Sequence, residues 1–325
     1  MARIVVLGAG AWGTALALQA VRAGAGVTLW ARDPERAAAI DAARENARYL
    51  PGITLPPALR ITADAARALD GAALALLVVP VQGLRAVLAT LPKTPVPLLV
   101  CAKGVEASTG ALPLEILAAL RPGPAGVLSG PNFAAEVARG LPAAAVVASP
   151  DAALRATALS LLAGPGFRLY GNEDAIGAQV GGAAKNVIAI AAGAVIGAGL
   201  GENARAALVT RGLAELSRLT VALGGRAETA AGLSGLGDLM LTTAGAGSRN
   251  MSLGLALGGG EALADILAAR SGVTEGVATA PALVARAHAA GVELPLCEAV
   301  AELLQGTISL RDAIARLMAR PLRDE

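Results

Sequence analysis

The 325-residue sequence predicts two domains: a doubly wound α/β domain with a mainly parallel sheet over residues 1–172, and an all-α domain over residues 173–325. Three observations predict this. Short apolar runs alternate with amphipathic stretches as far as Tyr170 and then stop. Glycines at GxGxxG spacing directly follow the first apolar run. The composition, 55% hydrophobic and 16% charged, belongs to chains that bury a large core, which excludes disordered and fibrous classes.

The predicted strands are Arg3–Gly8, Val27–Trp30, Ala73–Val79, Pro97–Cys101, Gly126–Ser129, Ala144–Ala148 and Phe167–Tyr170. They are apolar runs, as strands covered on both faces must be. Helical periodicity runs through Thr14–Ala23, Pro34–Glu45, Val81–Thr90 and Leu112–Leu120 between them. Beyond Gly171 only helical patterns punctuated by glycine remain: Asp174–Ile196, Ala204–Leu223, Ala262–Arg270, Pro281–Ala290, Leu296–Leu304 and Leu310–Arg320. Residues 4–20 have the hydrophobicity of a signal peptide, but three glycines at loop spacing argue against that reading. The apolar run Val187–Gly201 falls short of the ~20 residues that cross a bilayer. It reads as a buried central helix, with Lys185-Asn186 interrupting its N-terminal side.

Several function classes drop out. The net charge is +2, so no cationic field points to nucleic acid or a membrane surface as partner. The single histidine, His288, rules out a multi-histidine metal site and has no nucleophile motif to serve; a structural or solvent role is expected. Cys101 and Cys297 lie far apart without a CxxC, so no metal site and no disulfide framework is expected, and a reducing cytoplasm fits.

The strand RIVVLG runs into GAGAWGTALALQA. In this reading Gly8 permits the tight turn, Gly10 lets the backbone approach a pyrophosphate, and Gly13 allows close helix–strand packing. The following helix aims its free N–H groups and dipole at the phosphates. The second strand ends Trp30-Ala31-Arg32-Asp33-Pro34. An acid at its tip would favour NAD, but the tip residue is Ala31. Arg32 can meet a 2′-phosphate, which leans the cofactor toward NADP. Asp33 reads as the N-cap of a helix with Pro34 at its first position.

Only three of the 27 basic residues are lysines. Lys93 lies in a proline-rich surface turn. Lys103 follows the strand ending at Cys101, on the sheet edge where ligands bind in such folds. The next strand leads into Ser129-Gly130-Pro131-Asn132-Phe133 at the same edge, where backbone N–H groups can hold an anion. Lys185 opens an otherwise apolar helical stretch; burial would move its pKa toward neutrality and suit it to proton transfer. Asp238 lies in GLSGLGDLMLTT, and Ser248-Arg249-Asn250 opens a helix as a candidate phosphate cradle.

These motifs, with ENARYLPG at Glu45 and GVTEG at Gly272, closely resemble the bacterial NAD(P)-dependent glycerol-3-phosphate dehydrogenase family over nearly the whole chain. The resemblance implies a Rossmann domain followed by a helical domain. It implies reversible reduction of dihydroxyacetone phosphate to sn-glycerol 3-phosphate by NADH or NADPH, feeding glycerophospholipid synthesis, with Lys185 as catalytic acid/base. It implies substrate contacts at Lys103, Gly130, Asn132, Lys185, Asp238, Ser248, Arg249 and Asn250. Cofactor contacts fall at Gly8, Gly10, Ala11, Trp12, Gly13, Arg32, Tyr49, Lys103, Ala134, Arg249, Val273 and Glu275. It further suggests a cytoplasmic homodimer. Asn132 departs from the serine or threonine usual after Gly-Pro, and Asp33 stands where some members carry a basic residue. Two competing readings are a hydroxyacid or ketopantoate dehydrogenase, opposed by the Ser-Arg-Asn cluster, and a nucleotide-sensing regulator, opposed by the two motif lysines.

Overall fold

The run RIVVL forms strand β1 (Arg3–Leu7) in the computed structural model of the chain, which describes residues 2–245, 247–270 and 272–321. The other strands are β2 (Gly26–Trp30), β3 (Glu45–Asn46), β4 (Leu50–Thr54), β5 (Leu59–Thr62), β6 (Leu74–Leu77), β7 (Leu98–Val100), β8 (Ala125–Ser129), β9 (Ala143–Ala148) and β10 (Phe167–Asn172). Eight of them make one sheet in the order β10-β9-β8-β7-β6-β1-β2-β5, and β3 pairs with β4 apart from it. Residues 4–20, the signal-like stretch, are β1 and most of the helix Ala11–Arg22.

From β1 the chain steps outward through β2 to β5, then returns to β6 on the other side of β1. This reversal of strand order makes a switch point beside the carboxyl end of β1, where open parallel sheets leave a crevice for ligands. The β1–β2 register pairs Leu7 with Trp30, and the β1–β6 register pairs Leu7 with Leu77, so three strands end level at that point. The core is aliphatic: Ile4, Val6, Leu16, Leu29, Leu74, Leu76 and Leu99 belong to one buried cluster.

The sheet departs from the sequence reading in two places. β8 and β9 are antiparallel, with Val127 opposite Ala148 and Ser129 opposite Val146. The connection between them holds only the five-residue helix Ala134–Ala138, short for the crossover that a parallel pair needs. The hairpin β3–β4 and the edge strand β5 were not anticipated. Proline, glycine and exposed polar residues interrupt their apolar pattern, and only one residue of β4 is buried.

The chain divides into two compact units: the residues up to Lys103 with Leu112–Gln179, and Gly104–Ala111 with the residues from Val180 onward. The sequence-derived boundary at 172/173 falls a few residues earlier, and the membership of the 104–111 segment has no sequence signal. The described part of the second unit is helical, built around Ala175–Gly197 and Gly201–Ala222. Helix Ala175–Gly197 is 23 residues long and by length and composition alone could cross a membrane, but 89% of its most apolar window is buried, as a core helix requires. Helix Glu275–Ala289 begins ahead of the expected start, with Pro281 inside it.

Helices Ala175–Gly197 and Arg249–Gly258 meet backbone to backbone. A Cβ on Gly193 would lie 2.1 Å from the carbonyl of Met251, and one on Gly254 would lie 2.0 Å from that of Ile190. Gly197 and Gly258 continue the same seam one turn on. Glycine at these positions lets the axes approach more closely than any side chain permits, and the contact brings Asn250 against Asn186.

Candidate active site

In the first unit the three glycines of the loop have separate reasons. Gly8 has φ +126°, and a Cβ there would lie 2.4 Å from the carbonyl of Val78. A Cβ on Gly13 would lie 1.8 Å from the carbonyl of Gly8, so helix Ala11–Arg22 presses on the loop itself. Gly10, the helix N-cap, has nothing within 4 Å of the position its Cβ would take. No neighbour among the described residues demands glycine there, and the space over its backbone is what a pyrophosphate at a helix N-terminus would fill. Next in the chain are Ala11 and Trp12. The indole Nε1 of Trp12 is buried without a hydrogen-bond partner among the described residues. An open glycine cradle and an unsatisfied donor beside it fit the phosphates of NAD(P).

At the tip of β2, Ala31 is buried and Arg32 exposed. The Asp33 carboxylate accepts the Glu35 N–H at 3.0 Å and the Arg36 N–H at 3.4 Å, with Pro34 in the first turn. It is therefore committed to the helix Pro34–Ala43 as an N-cap. Tyr49, at the turn of the β3–β4 hairpin, is half-buried with the Arg36 guanidinium 4.3 Å from its ring centre.

The carboxyl edge of the sheet carries the next group. Lys103 Nζ donates to the Gly130 carbonyl at 2.9 Å. Gly130 has φ +138°, and a Cβ there would meet Ala145 Cα at 3.0 Å, so only glycine turns the chain there without displacing β9. Asn132 Nδ2 donates to the Ala144 carbonyl at 3.0 Å, while Oδ1 is buried without a partner among the described residues. The amide at this position thus spends one N–H on the backbone of β9 and keeps Oδ1 as a free acceptor. Ala134 starts the helix Ala134–Ala138 beside it.

In the second unit Lys185 is 8% exposed and Asp238 1%. Nζ of Lys185 donates to Asp238 Oδ1 at 2.9 Å and to Thr242 Oγ1 at 2.8 Å. Thr242 Oγ1 lies in turn 3.3 Å from Asp238 Oδ1. Thr242 is absent from the sequence-derived set. It sits four residues after Asp238 on one helical face, and that spacing was the available signal. A buried ammonium needs both a counter-charge and filled hydrogen-bond positions, and this triad supplies them.

Asn250 Nδ2 donates to Asn186 Oδ1 at 2.8 Å, and Asn250 Oδ1 accepts the Gly276 N–H at 3.0 Å. Ser248 is the N-cap of helix Arg249–Gly258, its hydroxyl accepting the Met251 N–H at 3.2 Å. Arg249 is exposed at the first position of that helix, and a Cβ on Gly272 would lie 2.8 Å from its Nη1. Val273 is 50% exposed. Glu275 is the first residue of helix Glu275–Ala289, after the N-cap Thr274. One unit therefore gathers Lys185, which lies in the middle of helix Ala175–Gly197 rather than at the head of an apolar stretch, with Asp238, Ser248, Arg249 and Asn250 at the starts of two other helices. The other gathers the glycine loop, Lys103, Gly130 and Asn132 at the carboxyl edge of its sheet.

The remaining titratable groups singled out lie apart. His288 is exposed, its Nε2 2.9 Å from Glu298 Oε1, as a solvent-facing structural histidine. Both cysteines are free and buried, and burial pushes both thiols well above their ordinary pKa.

Comparison with known proteins gives these two groups a common context. Residues 3–155 match the N-terminal part of NAD-dependent glycerol-3-phosphate dehydrogenase, and residues 174–315 match its C-terminal part. A glycerol-3-phosphate dehydrogenase [NAD(P)+] of Rhodospirillum rubrum is 53% identical, over 99% of this chain and 93% of that one. One from Acidiphilium cryptum is 56% identical over 98% and 97%. The crystal structure of the glycerol-3-phosphate dehydrogenase of Coxiella burnetii has a TM-score of 0.93 and 37% identity, covering 98% of this chain and 99% of that one. The chain belongs to the NAD-dependent glycerol-3-phosphate dehydrogenase family, oxidoreductases that use NAD(P) to act on a CH–OH group.

Proposed function

We propose that in the family reaction, dihydroxyacetone phosphate to sn-glycerol 3-phosphate, Lys185 is the proton donor to the carbonyl oxygen. The triad of Lys185, Asp238 and Thr242 is the observation that carries this reading. The dinucleotide, when bound, supplies the hydride; Gly8, Gly10, Ala11, Trp12 and Gly13 would hold its phosphates, with Arg32, Tyr49, Ala134, Val273 and Glu275 as further contacts. Lys185 stabilises the developing alkoxide as an ammonium and gives up its proton in the reducing direction. Asp238 fixes the ammonium and neutralises its charge before substrate arrives, and Thr242 fills a second donor position. Arg249 holds the substrate phosphate as a fork, aided by the Ser248 hydroxyl, the remaining Asn250 N–H and Lys103. The buried Oδ1 of Asn132 accepts a substrate hydroxyl. Phosphate binding then supplies the energy that positions the carbonyl.

The cofactor preference follows the tip of β2. Asp33 caps its helix through Oδ1, the tip residue Ala31 is apolar, and exposed Arg32 meets a 2′-phosphate. NADPH is the preferred donor in this reading, with NADH accepted. Two buried free cysteines suit a reducing cytoplasm, where the product supplies the glycerol backbone of phospholipids, and a homodimer is the working form. The test is oxidation of NADPH and of NADH, followed by absorbance, with dihydroxyacetone phosphate and with unphosphorylated dihydroxyacetone. Arg249→Ala should selectively weaken use of the phosphorylated substrate. Equal loss on both substrates would remove Arg249 from the phosphate site, and an unchanged NADPH/NADH ratio in Arg32→Ala would remove Arg32 from cofactor choice.

A further inference from the structure

The glycine loop is held from outside by two side chains that its motif does not contain. The Ala9 carbonyl, between Gly8 and Gly10, accepts a hydrogen bond from Asn46 Nδ2 at 2.9 Å and another from Arg36 Nη2. Asn46 also donates to Thr14 Oγ1 at 2.7 Å, and that hydroxyl donates to the Gly10 carbonyl at 2.9 Å. Arg36 reaches the loop from the first turn of helix Pro34–Ala43, whose start Asp33 fixes. Its guanidinium also packs over the Tyr49 ring at 4.3 Å, and Arg48 lies 5.2 Å from the same ring. One cation thus ties together the loop that faces the phosphates and the aromatic ring expected at the cofactor.

The peptide geometry turns this tie into a consequence for binding. In a planar trans peptide the C=O and the N–H point in opposite directions. Holding the Ala9 oxygen on the Arg36–Asn46 side therefore aims the Gly10 N–H the other way, away from those two donors. Asn46 alone fixes the oxygen at one point, and Arg36 adds a second donor with a planar fork whose other face lies on Tyr49. We infer that Arg36 is a positioning residue for the dinucleotide, holding the Ala9 carbonyl and the Tyr49 ring in place before the cofactor arrives. This differs from reading a 2′-phosphate, the role assigned to Arg32. The parts Arg36 orders serve the pyrophosphate and ring stacking, which NADH and NADPH share.

The inference rests on the family's use of NAD(P) and is tested by equilibrium binding, so it stands apart from catalysis. Titration of purified Arg36→Ala with NADH and with NADPH, followed by calorimetry, should give both Kd values raised about tenfold, the worth of one charge-assisted hydrogen bond. Their ratio should be unchanged, and kcat at saturating cofactor should stay within about twofold, because Arg36 contacts neither substrate nor Lys185's triad. Arg36→Lys keeps a donor and a charge but loses the fork, and should fall between the two. It also serves if the alanine variant does not fold. Tyr49→Leu combined with Arg36→Ala should cost less than the two single changes together, because one tie is being removed twice. Unchanged Kd values would overturn the inference. So would a loss confined to NADPH, which would make Arg36 a phosphate reader. Failure of the wild type to reduce dihydroxyacetone phosphate would sink the catalytic reading and leave these binding results to stand by themselves.

Discussion

Removing the carboxylate of Asp238 should destabilise the protein more than almost any other single polar change. Lys185 and Asp238 are 8% and 1% exposed and 2.9 Å apart, so neither charge has water to replace a lost partner. Asp238→Ala takes the counter-charge from a buried ammonium, and breaking a buried pair in this way costs about 3–5 kcal/mol. Lys185→Met alone leaves a buried carboxylate and should cost a similar amount. The double variant Lys185→Met/Asp238→Leu removes both charges and fills the space with apolar atoms. It should recover most of the loss and return to within about 1–2 kcal/mol of the wild type, because the desolvation of both ions disappears with them. Urea unfolding of the four proteins, followed by circular dichroism with the slope held common, reads the cycle. A loss under about 1 kcal/mol for Asp238→Ala would mean that water screens the pair, and the argument from burial would fail. Additive losses in the double variant would show that the two groups do not act as a pair.

The other predictions concern separate parts of the molecule. Glu215 is buried and accepts the N–H groups of Leu296 at 2.7 Å and Cys297 at 3.2 Å at the start of helix Pro295–Gln305. Burial raises its pKa above the ordinary 4.5 against the pull of those donors, so the folded protein binds this proton more tightly than the unfolded chain does. Its contribution is full below 4.5 and is lost as pH rises through the raised value; Glu215→Gln should remove that part of the pH slope of unfolding, and an unchanged slope would assign it elsewhere. Gly13→Ala forces a methyl to 1.8 Å from the Gly8 carbonyl and should lower the melting temperature and weaken NADH and NADPH alike, at an overpacking cost of about 1–3 kcal/mol. Neither Cys101 nor Cys297 should react with a thiol reagent until urea unfolds the chain; fast labelling of the native protein would contradict their burial.

Much of the candidate site's local structure could be read from the sequence because its residues sit in short contiguous motifs. The glycine loop announces a strand, a turn and a helix at once, and Gly8 and Gly13 perform the separate tasks their spacing implied. Asp33 before Pro34 gave a helix cap, and the structure has that cap. Lys185 was conspicuous because this chain writes nearly all its positive charge as arginine. What escaped depends on contacts between distant residues. Arg36 looks like any surface arginine of an amphipathic helix until the fold carries it to Ala9, 27 residues away. Asn46 lies inside the ENARYLPG motif, yet nothing local gives its contact, because its partner Thr14 is remote in sequence. The antiparallel β8–β9 pair escaped because apolar runs carry no sign of strand direction. The free Oδ1 of Asn132 was not legible either, since only the position of the Ala144 carbonyl decides where one of the amide N–H groups goes.

Single-turnover reduction of dihydroxyacetone phosphate by Lys185→Met, with NADPH affinity measured on the same preparation, probes the proton donor itself. The rate of the chemical step should fall by ~10²-fold or more while the NADPH Kd stays near that of the wild type, as loss of a general acid requires. Near-normal turnover in that variant would mean that another group protonates the alkoxide and that the buried triad is only a structural pair.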